Sequence, residues 1–328
     1  MSDKLFKYLK KILPFIGLIF FILYIVFTFD FVDIKEAFLC ISPFFICLSL
    51  VLTIPGVIIR IYAWQIVLKE QSIQISFLQL LKVFLIGYFY GIFTPGFYGQ
   101  LMRIPYLKEK TGQPYGKLFV STFIEITMRS FSIFLMILIG ALIFLSSIKD
   151  IFYMILVSFI IFSSVIFYFI KKERGEKIFY SFVKYFIPRR FKVNLNSFIS
   201  TFYNDFPRIK ILIIPILLSV ITWILIFTQY YIFIIALDLQ IPYIAFLFLF
   251  PIANVAGYIP ITIAGLGIRE ITAITIFTTI YNVTKEEILV VALLGFIITD
   301  IVTSFVGFLL SLTETIDKKS FIKALKHN

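Results

Sequence analysis

Six stretches of this chain, roughly 12–29, 37–59, 118–145, 151–170, 211–237 and 287–310, run apolar for about the 20 residues a helix needs to cross a bilayer. In hydrocarbon every backbone N–H and C=O must be satisfied within the segment, which selects helices for stretches of this length. Two further regions, 77–103 and 243–281, are equally apolar but too long for one comfortable helix, and each is interrupted by Pro and Gly. Composition agrees with a chain solvated by lipid. Of 328 residues 61% are hydrophobic and 15% charged, against about 25% charged in a soluble domain.

Charge between the apolar runs sets their direction, because Lys and Arg accumulate in cytoplasmic loops. Lys4, Lys7, Lys10 and Lys11 precede the first run, which is too long for a signal-peptide core and lacks a small-residue cleavage site, so it is read as a retained helix with a cytosolic N-terminus. The connection 30–36 is acidic and external. Arg60 and Lys69 follow the second run and place 60–76 inside. Arg103, Lys108, Lys110 and Lys117 also want the inside, which is consistent only if 77–103 enters from the cytosol, turns at Thr94-Pro95-Gly96 and returns. The loop 171–210 carries ten basic and three acidic residues and is cytosolic, as is the tail with Lys318, Lys319, Lys323 and Lys326. The region 243–281 then starts and ends outside, and forms a second hairpin broken near Pro260 to Gly267. The net charge of +12 is thereby a cytosolic-face asymmetry that favours anionic lipid headgroups and does not point to nucleic acid.

The units 37–145 and 211–310 share one element order in opposite orientation: span, hairpin, span. Inverted repeats with broken helices are a recurring plan of transporters. The breaks are also alike, with Pro95, Gly96 and Gly99 followed by Arg103, and Pro260, Gly265 and Gly267 followed by Arg269. Pro removes a backbone donor and Gly accepts positive φ, so the chain can turn at these points. Kinked helices are the simpler alternative. The charge distribution favours hairpins.

Ionisable groups inside spans cost about 2.5–3.5 kcal/mol on insertion scales and need a partner or a wet cavity. Glu125 and Arg129 are spaced i, i+4 and are expected to pair on one helix face. Arg103 and Arg269 are the candidates to meet a phosphate or other anion, Arg being suited by its planar fork. Glu125, Glu270 and Asp300 would balance or gate it, with Thr299, Thr303 or Ser304 at hand to satisfy Asp300. Lys82 is expected to snorkel to the interface. No metal site or cofactor is expected, since Cys40 and Cys47 stand alone and His327 is the single histidine. A phosphate-binding Gly-x-x-x-x-Gly-Lys loop is absent, as is an Asp-x-Asp pair on the cytosolic side, and no enzymatic activity is expected.

At the Pro-Gly-x-x-Gly…Arg stretch 95–103, the Glu125-bearing helix 121–131 and the Pro…Gly-x-Gly-x-x-Glu stretch 260–270, the chain resembles the transmembrane region of the lysylphosphatidylglycerol synthase family of flippase-like membrane proteins. The resemblance implies a polytopic protein that handles a lipid or lipid-linked substrate, with both broken segments lining its path. Some relatives carry a soluble aminoacyltransferase or glycosyltransferase domain. No soluble stretch here exceeds 171–210, so that chemistry is not expected of this chain. Where the family usually has Glu-Arg adjacent, Ile126 follows Glu125, and Gln100 stands where an acidic residue is common.

The expected architecture is an all-α polytopic membrane protein with six full transmembrane helices plus two opposed re-entrant hairpins. It forms one integral domain over 1–328: an N-terminal helix (1–36), a first inverted repeat (37–145, hairpin 77–103), a helix with a basic cytosolic loop (146–210), a second inverted repeat (211–310, hairpin 243–281) and a basic cytosolic tail (311–328). The expected function is translocation of a lipid or lipid-linked anion across the cell membrane, both termini being cytosolic. The expected partners are anionic membrane lipids and a lipid-modifying enzyme; the alternatives are a secondary transporter of a small solute or ion and a subunit assisting such an enzyme.

Overall fold

The computed structural model describes residues 22–144 apart from 24 and 28, residues 156–164 apart from 158 and 162, and residues 206–314 apart from 260 and 261. Most of the expected spans 12–29 and 151–170, the basic loop up to 205, the tail past 314 and Pro260 lie outside the described residues. Every regular element among those described is helical. In chain order these are α1 (Phe31–Leu39), α2 (Pro43–Glu70), α3 (Phe77–Ile92), a 3-10 turn (Pro95–Met102), α4 (Arg103–Thr111), α5 (Tyr115–Ile143), α6 (Ile209–Ala236), α7 (Tyr243–Ala256), a second 3-10 turn (Ile263–Gly265), α8 (Ile268–Ile280), α9 (Lys285–Phe296), a π-helical segment (Ile297–Val302) and α10 (Thr303–Thr313).

Among these, five stretches are long and apolar enough to cross a membrane: Pro43–Glu70, Tyr115–Ile143, Lys210–Ala236, Ile263–Ile280 and Lys285–Thr313. The protein is a membrane protein. The expected second span needs correction at both ends. Residues 31–39 form a helix of their own, capped by Asp30, whose side chain accepts from the Val32 N–H. The spanning helix starts only at Pro43, with Ser42 as its cap, because Pro suits the first helical turn and pushes the residue before it to extended backbone. It then runs past the expected end at 59 to Glu70, carrying Arg60 inside the helix and not in a loop. The region 243–281 is two helices, and its second part, Ile263–Ile280, is by length and composition sufficient to cross alone.

The long helices α2 and α6 pack on each other more extensively than any other pair. They run antiparallel: Gln229 on α6 donates to the Ser49 carbonyl at 2.7 Å and to Thr53 Oγ1 at 2.6 Å, while Arg208 approaches Glu70 at the other end, 3.9 Å away. The broken segments then pack reciprocally. Helix α3 lies against α10, and α7 lies against α5. Each contact is seated on a glycine: a Cβ on Gly307 of α10 would strike the Leu85 carbonyl of α3, and one on Gly140 of α5 would come within 2.6 Å of Phe248 Cβ of α7. Two apolar cores flank this arrangement, one on α2–α5 and one on α5–α9.

Each broken segment turns through two consecutive residues of positive φ, Gly96 and Phe97 in the first, Ala264 and Gly265 in the second. Phe97 and Ala264 hold this left-handed backbone without being glycine, at about 1–2 kcal/mol each. The two turns touch, and Phe97, Ile263 and Leu266 pack on Ile92, Ala264 and Phe296. Beyond the turns the chain folds back. Phe246 of α7 stacks on Phe277 of α8 at 5.2 Å, and Arg103 Cβ lies 2.9 Å from where a Cβ on Gly87 of α3 would stand.

Just past α10, Glu314 is clamped between Lys110 of α4, at 2.7 Å, and Lys82 of α3, at 3.5 Å. Lys82 therefore reaches the polar edge with a partner, its side chain half exposed. The Lys110 hydrogen bond and the two ammonium charges hold the Glu314 carboxyl below the usual carboxylate value, against the opposing effect of burial.

Two outcomes follow from this packing. Gly112 and Gly265 both have positive φ, but a Cβ meets nothing within 4 Å at Gly112 and the Gly257 backbone at 2.5 Å at Gly265. Gly112→Ala is expected to cost about 1–2 kcal/mol, and Gly265→Ala roughly twice that or more. Unfolding of the detergent-solubilised variants measures both, and equal losses would refute the close approach. A carboxyl depressed in the folded state stabilises above its unfolded value of about 4.3 and loses that contribution as pH falls through the folded value. The Glu314 clamp should thus stay closed from pH 8 to 5 and open only in stronger acid. The distance between spin labels on the exposed positions Leu78 and Leu312 reads it.

Candidate anion site between the two broken helices

Three elements bring one carboxylate and two guanidinium groups together in the buried interior, Arg60 alone of them reaching the cavity described below. Glu125 on α5 accepts from Arg60 Nε of α2 at 2.9 Å through one oxygen and from Arg103 Nη1 at the start of α4 at 2.8 Å through the other. Gln100, in the first turn, accepts from Arg60 Nη2 at 3.3 Å and from Arg103 Nη2 at 2.5 Å, and its own carbonyl accepts from Arg103 Nε at 3.0 Å. Aromatic faces cover the remaining surface: Arg60 lies over Phe84 and Arg103 over Trp64, at 4.5 and 4.8 Å. Such faces suit a guanidinium that has left water. Gln100 as a neutral amide suits this place, because its carbonyl oxygen takes two guanidinium donors without adding charge.

The second turn leads into a different arrangement. Glu270, fully buried, accepts from the Gly267 N–H at 2.6 Å and so caps the first turn of α8, where the helix dipole favours a negative charge. The same carboxylate accepts from Arg269 Nε at 3.0 Å. Arg269 stacks over Phe296 at 4.5 Å and reaches towards Asp300 with Nη1 3.9 Å from Oδ2. Asp300 sits in the π-helical segment. The Tyr88 hydroxyl of α3 donates to its Oδ1, and Thr299 donates to its Oδ2 at 3.0 Å. Thr303 Oγ1 and Ser304 Oγ, the other expected donors to Asp300, have no hydrogen-bond partner among the described residues.

Between the two clusters lies a cavity of about 760 Å³ including its open mouth. Its wall is built from both halves of the chain: α2 and α3 with Phe97 on one side, and α6, Tyr258, Ala264, Arg269 and the π-helical segment on the other. The charged groups on that wall are Arg60, Arg129, Arg269 and Asp300. Arg103, Glu125 and Glu270 lie behind it.

Arg129 corrects the sequence reading. It does not pair with Glu125, whose two oxygens are taken by Arg60 and Arg103 from other elements. Among the described residues no carboxylate lies within 4.0 Å of its guanidinium, and its Nε has no hydrogen-bond partner. It rests instead on the Trp223 face at 4.4 Å, and Trp223 Nε1 donates to the Arg129 carbonyl at 3.0 Å, fixing the ring beneath the charge. Of the seven charged groups gathered here among the described residues, four are Arg and three are carboxylates, and Arg129 is the one with no carboxylate within 4.0 Å.

The structure therefore gathers all six expected charged residues around one site, three on the cavity wall and three behind it. Sequence reasoning missed Arg60, which ends an apolar run and reads as a loop residue. It also missed Tyr88, Trp223 and Gln229, which read as ordinary core residues of apolar helices. The signal available for Arg60 was the continuation of the apolar pattern through Trp64, Val67 and Leu68.

Stability and charge separate the two kinds of arginine contact. Glu125→Gln leaves two buried guanidinium groups without a carboxylate and is expected to cost about 3–5 kcal/mol. Arg129→Gln removes no ion pair and is expected to cost about 1 kcal/mol. Thermal or chemical unfolding in detergent ranks them, and a larger loss in Arg129→Gln would show that Arg129 is part of the buried ion network.

Residues 15–307 match the family described as the lysylphosphatidylglycerol synthase TM region. No curated protein matches the chain.

Proposed function

We propose a function from the premise that the chain belongs to the lysylphosphatidylglycerol synthase TM-region family: it moves a lipid or lipid-linked anion across the cell membrane, headgroup through the cavity and tails in the bilayer. The observation that carries this reading is the cavity wall, where three arginines face one aspartate inside a bundle of apolar helices. With Arg60 matched by Glu125 and Arg269 by Glu270, Arg129 is the surplus charge on this wall, and a counter-anion offsets the cost of holding it among apolar helices. Guanidinium groups offer the planar donors that a phosphate accepts bidentately.

In this proposal the chain has six spans and two re-entrant hairpins in an inverted repeat, with both termini in the cytosol. The reciprocal packing of α3 on α10 and of α7 on α5 supports it, because each hairpin then stands against the last helix of the opposite unit. The contact between the two turns supports it as well, since alternating-access proteins place their broken helices together around one site. The chain acts without a catalytic step of its own and takes anionic membrane lipids as its partners. Supply or further use of the lipid falls to a separate lipid-modifying enzyme.

Proteoliposomes holding fluorescent phosphatidylglycerol test it, the label in one leaflet being read through an impermeant quencher added outside. Wild-type protein should speed exchange between leaflets, and Arg129→Ala should slow it tenfold or more. Failure to speed exchange of labelled lipids with several headgroups, by protein shown to be folded, would sink the lipid reading. Uptake of free phosphate into the same vesicles would instead establish a small-anion carrier.

A further inference from the structure

Gly56 is a glycine that neither packing nor backbone conformation explains. It lies buried in the middle of α2 and is not among the glycines of positive φ. A Cβ added there would meet nothing within 4 Å among the described residues, whereas one on Gly87, Gly140 or Gly307 would strike a neighbouring element. Glycine weakens a helix interior relative to alanine, so what the missing side chain at 56 provides is space. That space is the cavity, whose wall holds Gly56 one turn before Arg60.

A second group on the same wall is available to a ligand. Ser132, Thr222, Thr228 and Thr272 each donate to the carbonyl four residues back, the usual way a hydroxyl is satisfied inside an apolar helix. Thr303 is buried and borders the cavity, yet its hydroxyl has no hydrogen-bond partner among the described residues. It opens α10 directly after the π-helical segment, and π-helical turns recur at functional positions.

The charges then select the ligand. Arg60 and Arg103 share Glu125, Glu270 holds Arg269, and Asp300 accepts from Tyr88 and Thr299, which leaves Arg129 over. A ligand with one negative charge closes this balance. Two negative charges overshoot it beside Asp300, and a phosphate that brings an ammonium restores the surplus it removes. Charges gathered away from water are little screened, so the difference is felt as affinity. We propose that the cavity is a headgroup site for a singly charged phosphodiester lipid whose headgroup is uncharged and carries hydroxyls. Arg129 holds the phosphate, Gly56 leaves room for the headgroup, and Thr303 offers it a hydrogen bond. The inference rests on the reading of the cavity as a lipid-anion site and narrows it to one charge class. A phosphomonoester falls outside that class, because its second proton leaves at about pH 6.

The test is calorimetric titration of the purified full chain in uncharged detergent at pH 8. The probes are dihexanoylphosphatidylglycerol, dihexanoylphosphatidic acid, dihexanoylphosphatidylcholine and tail-free glycerophosphoglycerol. Wild type is expected to bind the first about tenfold or more tightly than any other. Gly56→Leu should unfold at the wild-type temperature or above and lose about tenfold or more of that affinity, while Gly56→Ala keeps most of it. Asp300→Asn raises the positive balance by one and should turn the preference to phosphatidic acid. Should it fail to fold, Arg129→Gln serves: it brings the balance to zero and should lower phosphatidylglycerol to the affinity of phosphatidylcholine. Wild-type affinity in folded Gly56→Leu overturns the place given to the headgroup. Equal binding of the three lipids by wild type overturns the charge class while leaving the lipid site standing. Glycerophosphoglycerol bound as tightly as its lipid overturns the lipid reading in favour of a free phosphodiester. Absence of any binding by folded wild type overturns the anion site and this inference together.

Discussion

One carboxylate with two guanidinium partners decides how the first half of this protein is assembled. Glu125 has two oxygens, and the structure spends one on Arg60 of α2 and the other on Arg103 at the foot of the first turn. Leaving either cation unmatched in an apolar bundle would cost several kcal/mol, so α2, α5 and the first broken segment are held in one relation. The same saturation explains the cavity. With both Glu125 oxygens occupied, Arg129, four residues further along α5, has no carboxylate within 4.0 Å among the described residues and settles on Trp223, facing the open space.

The two turns look alike in backbone and differ in how their arginines are compensated. Arg103 is bridged across the fold to a different helix, whereas Arg269 is compensated by its own neighbour Glu270, which also caps α8. The first arrangement ties elements together by setting two guanidinium groups on one carboxylate. The second is local and leaves Asp300 to the hydroxyls of Tyr88 and Thr299. An approximate repeat thus yields unequal halves, one bracing three elements through a shared carboxylate and the other compensating its arginine within one helix. The family membership and the helical, membrane-spanning character stand apart from this reading; the movement of lipid rests on the character of the wall.

Much of the plan was legible in the residues because lipid solvent imposes simple rules. Length of apolar run and Pro/Gly punctuation placed α2, α5, α6 and α9–α10 and located both breaks. The boundaries of α2 were not legible, since Ser42-Pro43 starts a helix in the middle of an apolar run and Arg60 is buried by partners far along the chain. The pairing of Glu125 was misread for the same reason: spacing of four residues predicts neighbours on one helix, while Arg60 is 65 positions away and invisible to any local pattern. Phe97 and Ala264 carry positive φ with no compositional mark. Their conformation is dictated by the turns pressing against each other, a contact between the two halves.

The reciprocal seating of the broken segments bears on how such a chain can be made. Leu85 rests on Gly307, so the wall against which α3 closes is synthesised 222 residues after it, while α7 finds Gly140 already in place behind it. The two broken segments therefore mature in opposite order to their synthesis. The second can dock as it emerges. The first, with Arg103 and Gln100 already gathered beside Glu125, keeps one flank open until the last helix arrives.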